Sequence, residues 1–92
     1  MWPIRWTAAA ASDLESIKNY WRRHRPEWAQ PTVMKLYRAA QSLKELPYRG
    51  RPGREAGTRE LVMVPLPYVI AYQVRSRDVC ILRVLHTSRD RS

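Results

Sequence analysis

Three runs decide how this chain folds: Arg59-Glu60-Leu61-Val62-Met63-Val64, Tyr68-Val69-Ile70-Ala71-Tyr72-Gln73-Val74 and Val79-Cys80-Ile81-Leu82-Arg83-Val84-Leu85. Each is dominated by apolar residues, many of them β-branched, and each has the length of a strand. Pro65-Leu66-Pro67 and Arg75-Ser76-Arg77-Asp78 separate them at hairpin lengths. Short connections predict an antiparallel meander. Tyr68 and Tyr72 share a face of the middle run, where they either fill the core or line a pocket.

Upstream, residues 47–58 hold all three glycines and read as an irregular basic loop. Before it lie two helical patterns. Ala10, Leu14, Ile17 and Trp21 form one apolar stripe, and Ala29, Val33, Leu36, Ala40 and Leu43 form another. Thr7 could N-cap the first helix, or Ser12-Asp13-Leu14-Glu15 could open it as a capping box. Its end carries Arg22-Arg23-His24-Arg25, cations suited to the negative pole of the helix dipole, and Pro26 stops it. Pro31 is tolerated in the second helix if that helix begins at Trp28 or later, because a first-turn residue needs no N–H donor. Pro47 closes it. Trp21 and Trp28 are expected to pack at the hinge. Residues 3–7 alternate apolar and polar and read as an opening strand. The expected fold is α+β, in the order β-α-α-β-β-β, a small antiparallel sheet packed against an N-terminal helical hairpin.

Ninety-two residues make one domain, residues 1–92, with a modest core. No run approaches the roughly 18 apolar residues of a membrane span, and the N-terminus lacks a secretory signal, so the expected location is the cytoplasm. Cys80, the single cysteine, sits in an apolar run and reads as packing. His24 and His86 have no ligand spacing, so no metal is expected, and no cofactor. Charge carries more information: 17 Lys and Arg against 8 Asp and Glu give +9. Such a field favours acidic partners, whether nucleic acid or protein, over a membrane.

The order of elements and several motifs resemble the ParE/RelE toxins. In the ParE-like branch a first strand ending in Trp precedes a helix with Asp-Leu, Ile and an aromatic, similar to Trp6, Asp13-Leu14, Ile17 and Tyr20. Leu46-Pro47-Tyr48-Arg49-Gly50-Arg51 resembles the family's close of the second helix. Gly57-Thr58-Arg59-Glu60-Leu61 resembles its second strand and Pro67-Tyr68 with Tyr72 its third. Ile81-Leu82-Arg83-Val84-Leu85-His86-Thr87-Ser88-Arg89 is similar to its ending.

For the ParE branch the resemblance implies growth inhibition through binding DNA gyrase, restrained by a cognate acidic antitoxin. For the RelE branch it implies metal-free cleavage of mRNA on the ribosome. Cleavage needs proton-transfer groups and cations for the phosphorane, for which the candidates are Arg59, Arg83, His86 and Arg89. His86 alone among them titrates near neutrality. Residues 47–59 contain four arginines but no lysine, and no tyrosine follows His86, unlike many RelE-type nucleases. Binding therefore ranks first, with Arg51, Arg54, Arg59, Arg83 and Arg89 as the partner-binding set. Arg59 is also expected to pair with a cross-strand carboxylate, and His86 to end a strand on a backbone hydrogen bond. A third reading, from charge alone, is a nucleic-acid-binding module without toxicity.

Overall fold

The computed structural model describes residues 2–87. The order is β1 (Ile4–Trp6), α1 (Ala8–His24), α2 (Pro26–Gln41) with a 3-10 turn (Ser42–Lys44), β2 (Arg51–Pro52), β3 (Arg59–Val62), β4 (Tyr68–Val74) and β5 (Val79–His86). The α+β class agrees with the reading of the sequence, and the β-α-α-β-β-β order holds apart from the added short β2. The sheet is larger and mixed, with five strands in the order β1-β5-β4-β3-β2. β3, β4 and β5 form the expected meander, whereas β1 runs parallel to β5, Ile4 opposite Val79 and Trp6 opposite Ile81. The two helices between β1 and the meander make the long connection that parallel pairing requires. The loop 47–58 also contributes β2, two residues paired to β3. β3 stops at Val62 rather than Val64, since Pro65 and Pro67 just beyond have no N–H for a ladder.

Thr7, not the Ser12 box, opens α1. Its hydroxyl accepts the Ala10 N–H at 3.0 Å and donates to the Leu82 carbonyl at 2.9 Å, while its own N–H reaches the Ile81 carbonyl. One side chain thus caps the helix and ties it to β5. α2 starts two residues earlier than Trp28, with Arg25 as the residue shared between the helices and Pro26 in the first helical position. Proline suits that position because its φ is already helical and its missing donor is not needed there. Pro31 therefore lies beyond the first turn, on the exposed side of α2, where the carbonyl it leaves without a donor can turn to water.

The hairpin covers one face of the sheet. Ile17, Leu36, Ala40 and Leu43 from the helical side meet Leu61, Tyr68, Ile70, Tyr72, Val79, Ile81 and Val84 from the strands. Ile81 and Val84 are three apart and would face opposite ways on a regular strand. Both reach the core because the register slips between Ala71, opposite Arg83, and Tyr72, opposite Ile81, which leaves Leu82 as an extra, bulged residue. The bulge also sets which side chains reach the other face, where the candidate site lies.

Candidate functional site

On the sheet face away from the helices, Arg51, Glu60, Ala71 and Arg83 stand opposite one another across four strands. Residues directly opposed on antiparallel strands project from the same face, so this row crosses the sheet like a rung. Glu60, 8% exposed, is a buried carboxylate paired to the Arg51 guanidinium at 3.0 Å. Burying such a charge is tolerable only with a partner, which locks β2 to β3. Beside the row lies an open depression of about 310 Å³, floored by Ala71, Leu82 and Leu85 and edged by Arg54, Glu55 and Arg83. Of the arginines read from the sequence as partner-binding, Arg54 and Arg83 edge this depression and Arg51 stands in the row beside it. Arg89 lies outside the described residues.

Arg83 grips Asp13 of α1 with both prongs of its guanidinium, at 2.7 and 2.9 Å. The same carboxylate accepts the Val84 N–H at 2.8 Å. β1 covers only Val79–Ile81 of β5, so the remaining edge of β5 needs another acceptor, and Asp13 supplies it. The reading of the sequence did not give Asp13 this task. Its only sequence signal is its place in the Asp-Leu motif of α1.

Arg59 does not pair with a carboxylate. Its guanidinium donates to the backbone carbonyls of Gly50 (2.7 Å) and Tyr48 (3.2 Å) and lies 5.3 Å from the Tyr48 ring centre. Its side chain faces the helical side, where its cross-strand partners are Pro52 and Tyr72 and neither is an acid, while Glu60, next to it on β3, is held by Arg51 from the other face. Tyr72 completes the clasp on this loop: its hydroxyl donates to the Pro47 carbonyl and accepts the Gly50 N–H.

His86 ends β5 opposite Tyr68, whose ring it meets edge-on at 5.5 Å. It shares a cleft of about 110 Å³ with Asp13, Ser16, Tyr20 and Tyr68, between α1 and the sheet. Arg83 and His86 therefore project from opposite faces, and Arg59 stands four ladder positions from His86. At about 3.3 Å per residue that is roughly 13 Å along the strands alone. Among the described residues, Arg59 is remote from His86, and Arg83 approaches the His86 cleft only through Asp13, which it grips from the other face. Among the described residues no three His, Cys, Asp or Glu side chains stand together as metal ligands.

A family model described as the ParE toxin of the type II toxin-antitoxin system parDE matches residues 4–91. The chain is 45% identical over 83 residues to the Sinorhizobium fredii protein Y4kP, covering 90% of this chain and 85% of that one. It is 44% identical over 86 residues to Toxin RelE2 of Caulobacter vibrioides, covering 94% and 96%. Among solved structures it superimposes on a chain of the chromosomal ParDE system of P. aeruginosa with a TM-score of 0.88 and 26% identity, over 96% of this chain and 98% of that one. A chain of the E. coli DinJ-YafQ complex shares the fold at a TM-score of 0.60 and 14% identity, over the full length of both.

Proposed function

This chain belongs to the ParE toxin family of type II toxin–antitoxin systems, and from that premise we propose that it stops growth in the cytoplasm by binding DNA gyrase, without catalysing a reaction. One observation carries the choice of binding over cleavage. Of the candidate arginines among the described residues, Arg59 is bonded to loop carbonyls and Arg83 to Asp13, and His86 is on the other face from Arg83. A nuclease needs its proton-transfer group and its cations around one phosphate. A binder needs only a complementary surface.

The face built from Arg51, Arg54 and Arg83 around the Ala71–Leu82–Leu85 floor would take the cognate antitoxin, through an acidic segment carrying apolar side chains. Arg59 supports that face by holding the loop. The net charge of +9 on so small a body favours such a partner, and the P. aeruginosa ParDE system, on a chain of which this one superimposes, is a toxin–antitoxin system. A supercoiling assay beside primer extension on ribosome-engaged transcripts tests the reading. Gyrase should lose supercoiling activity and transcripts should stay whole.

A second reading, ribosome-dependent RNA cleavage, has two supports: a 44% identical relative named RelE2, and a cleft that places His86 with Asp13, Tyr20 and Tyr68. On that reading His86→Ala should slow cleavage by about 10²–10⁴-fold, the usual worth of general acid–base catalysis. Transcript cuts that disappear in His86→Ala would displace gyrase binding as the preferred function.

A further inference from the structure

The tip of the helical hairpin carries aromatic rings that the core does not absorb. Trp28 is 48% exposed and Tyr20 is 36% exposed, so each leaves part of a large aromatic ring to solvent. The rings form a connected set. His24 lies 4.3 Å from Tyr20, Tyr20 meets Trp21 edge-on at 5.0 Å, and Trp21 lies 5.4 Å from Trp28. The Arg25 guanidinium lies 5.0 Å from the Trp28 ring centre. Trp21 anchors the set to the sheet, its indole N–H donating to the Tyr68 hydroxyl at 2.9 Å. Around the rings stand the exposed Arg22 and Arg23, and the one acid of the turn, Glu27, is 3.8 Å from Arg25.

We propose that this hairpin tip, with Trp28 and Tyr20 as stacking platforms and Arg22, Arg23 and Arg25 as phosphate contacts, binds single-stranded nucleic acid. The site is separate from the antitoxin face on the open side of the sheet. Rings at different tilts, with Arg25 over Trp28 and Arg22 and Arg23 exposed on the same tip, suit unpaired bases, because every base offers a face to stack while its phosphate seeks a cation. A folded acidic protein fits the tip less well. A single residue, Arg25, joins the two helices, and so narrow a tip gives a rigid partner little area to bury, whereas a flexible strand can drape over it.

The experiment separates base stacking from the attraction that a charge of +9 exerts on any phosphate chain. Fluorescence anisotropy would follow short labelled oligothymidylate, oligouridylate and an abasic strand of equal length, each over a range of salt. The natural sequence should hold the base-bearing strands more tightly than the abasic one, and a preference between the first two identifies DNA or RNA as the ligand. Trp28→Ala should weaken base-bearing strands roughly 5-fold or more and leave the abasic strand unaffected. Trp28→Phe should retain most of the affinity. The double variant Arg22→Ala, Arg23→Ala should lower the salt slope by about 1.4, and Arg77→Ala at the far hairpin serves as the charge control. Equal affinity for base-bearing and abasic strands, which needs no variant to observe, would overturn the proposal. So would a Trp28→Ala protein that keeps oligonucleotide affinity but loses its antitoxin or gyrase, since the tip would then be a protein-docking site.

Discussion

Asp13 and Arg83, 70 positions apart, form a two-pronged ion pair at the edge of β5, and the carboxylate also takes the Val84 N–H. The two partners should not be equally important. Arg83 is half exposed, and an exposed ion pair contributes about 0–1 kcal/mol. Asp13→Ala also removes the acceptor of a partly buried backbone N–H, which costs about 1–3 kcal/mol. Urea melts should therefore rank Asp13→Ala as more damaging than Arg83→Ala, with Asp13→Asn between them. The reverse order would mean that the edge of β5 does not depend on the carboxylate.

Gly50 is pinned by contact rather than by backbone angle. A Cβ there would sit 2.6 Å from the Tyr72 hydroxyl and 2.8 Å from the Glu60 carbonyl oxygen. Neither can yield easily, since the hydroxyl is fixed by Pro47 and the carbonyl belongs to the ladder. Gly50→Ala should destabilise the fold by about 1–3 kcal/mol. Tyr72→Phe should cost about the same, by leaving a buried N–H and a buried carbonyl without partners. Because both act on one clasp, the double variant should lose less than the sum, as a double-mutant cycle would show.

Leu36 is fully buried at the centre of the α2 stripe. Leu36→Ala should cost about 2–5 kcal/mol through lost burial and the cavity left behind. A loss below about 0.5 kcal/mol in a denaturant melt, the range of surface sites, would put the stripe on the wrong side of the helix.

Both helices were legible because their apolar residues recur at helical spacing, and the three long strands because each is an apolar, β-branched run bounded by turn signals. The features that were missed depend on distant partners. Nothing in Ile4-Arg5-Trp6 specifies that it lies parallel to β5, and two residues of β2 are too few for any pattern. The bulge at Leu82 shows only when Ile81 and Val84 are seen in one core. At the site, the arginines of the open face were legible as charge, but their partners were not. The cross-strand carboxylate expected for Arg59 is replaced by loop carbonyls, and Arg83 finds its acid on α1. Pro26 ends α1 as expected, but the start of α2 was missed because the same proline is its first residue.

The β4–β5 turn should make a small contribution to acid sensitivity. Arg75 donates two hydrogen bonds to Asp78, at 2.7 and 3.0 Å, and Arg5 of β1 lies 3.8 Å from the same carboxylate. The Arg75 hydrogen bonds are the main cause holding the Asp78 carboxyl below its ordinary value, with the charges of Arg75 and Arg5 adding to them. A depressed folded value stabilises the fold at pH above the unfolded aspartate value, about 3.9, and that stability is lost as pH falls through the folded one. Asp78→Asn should accordingly melt below the natural protein at neutral pH, and the gap should narrow under acid. A gap independent of pH would mean that the turn is held by shape alone.

The last prediction concerns the antitoxin and follows from the makeup of the open face. Arg54 and Arg83 flank an apolar floor of Ala71, Leu82 and Leu85, so a partner that fits it must bring carboxylates and an apolar side chain together. Charge-assisted hydrogen bonds are worth about 1.5–3 kcal/mol, so Arg54→Ala should weaken antitoxin binding roughly 10- to 150-fold in titration calorimetry. Leu85→Ala should weaken it by a margin that does not depend on salt, because burial of apolar surface is not screened. The Arg54 effect should shrink as salt rises. Arg77, at the tip of the β4–β5 turn, gives the comparison: if attraction were due only to the net charge, Arg77→Ala would cost as much as Arg54→Ala. That equality would remove the open face as the binding site, since a localised site cannot respond equally to charges at the depression and at a distant turn.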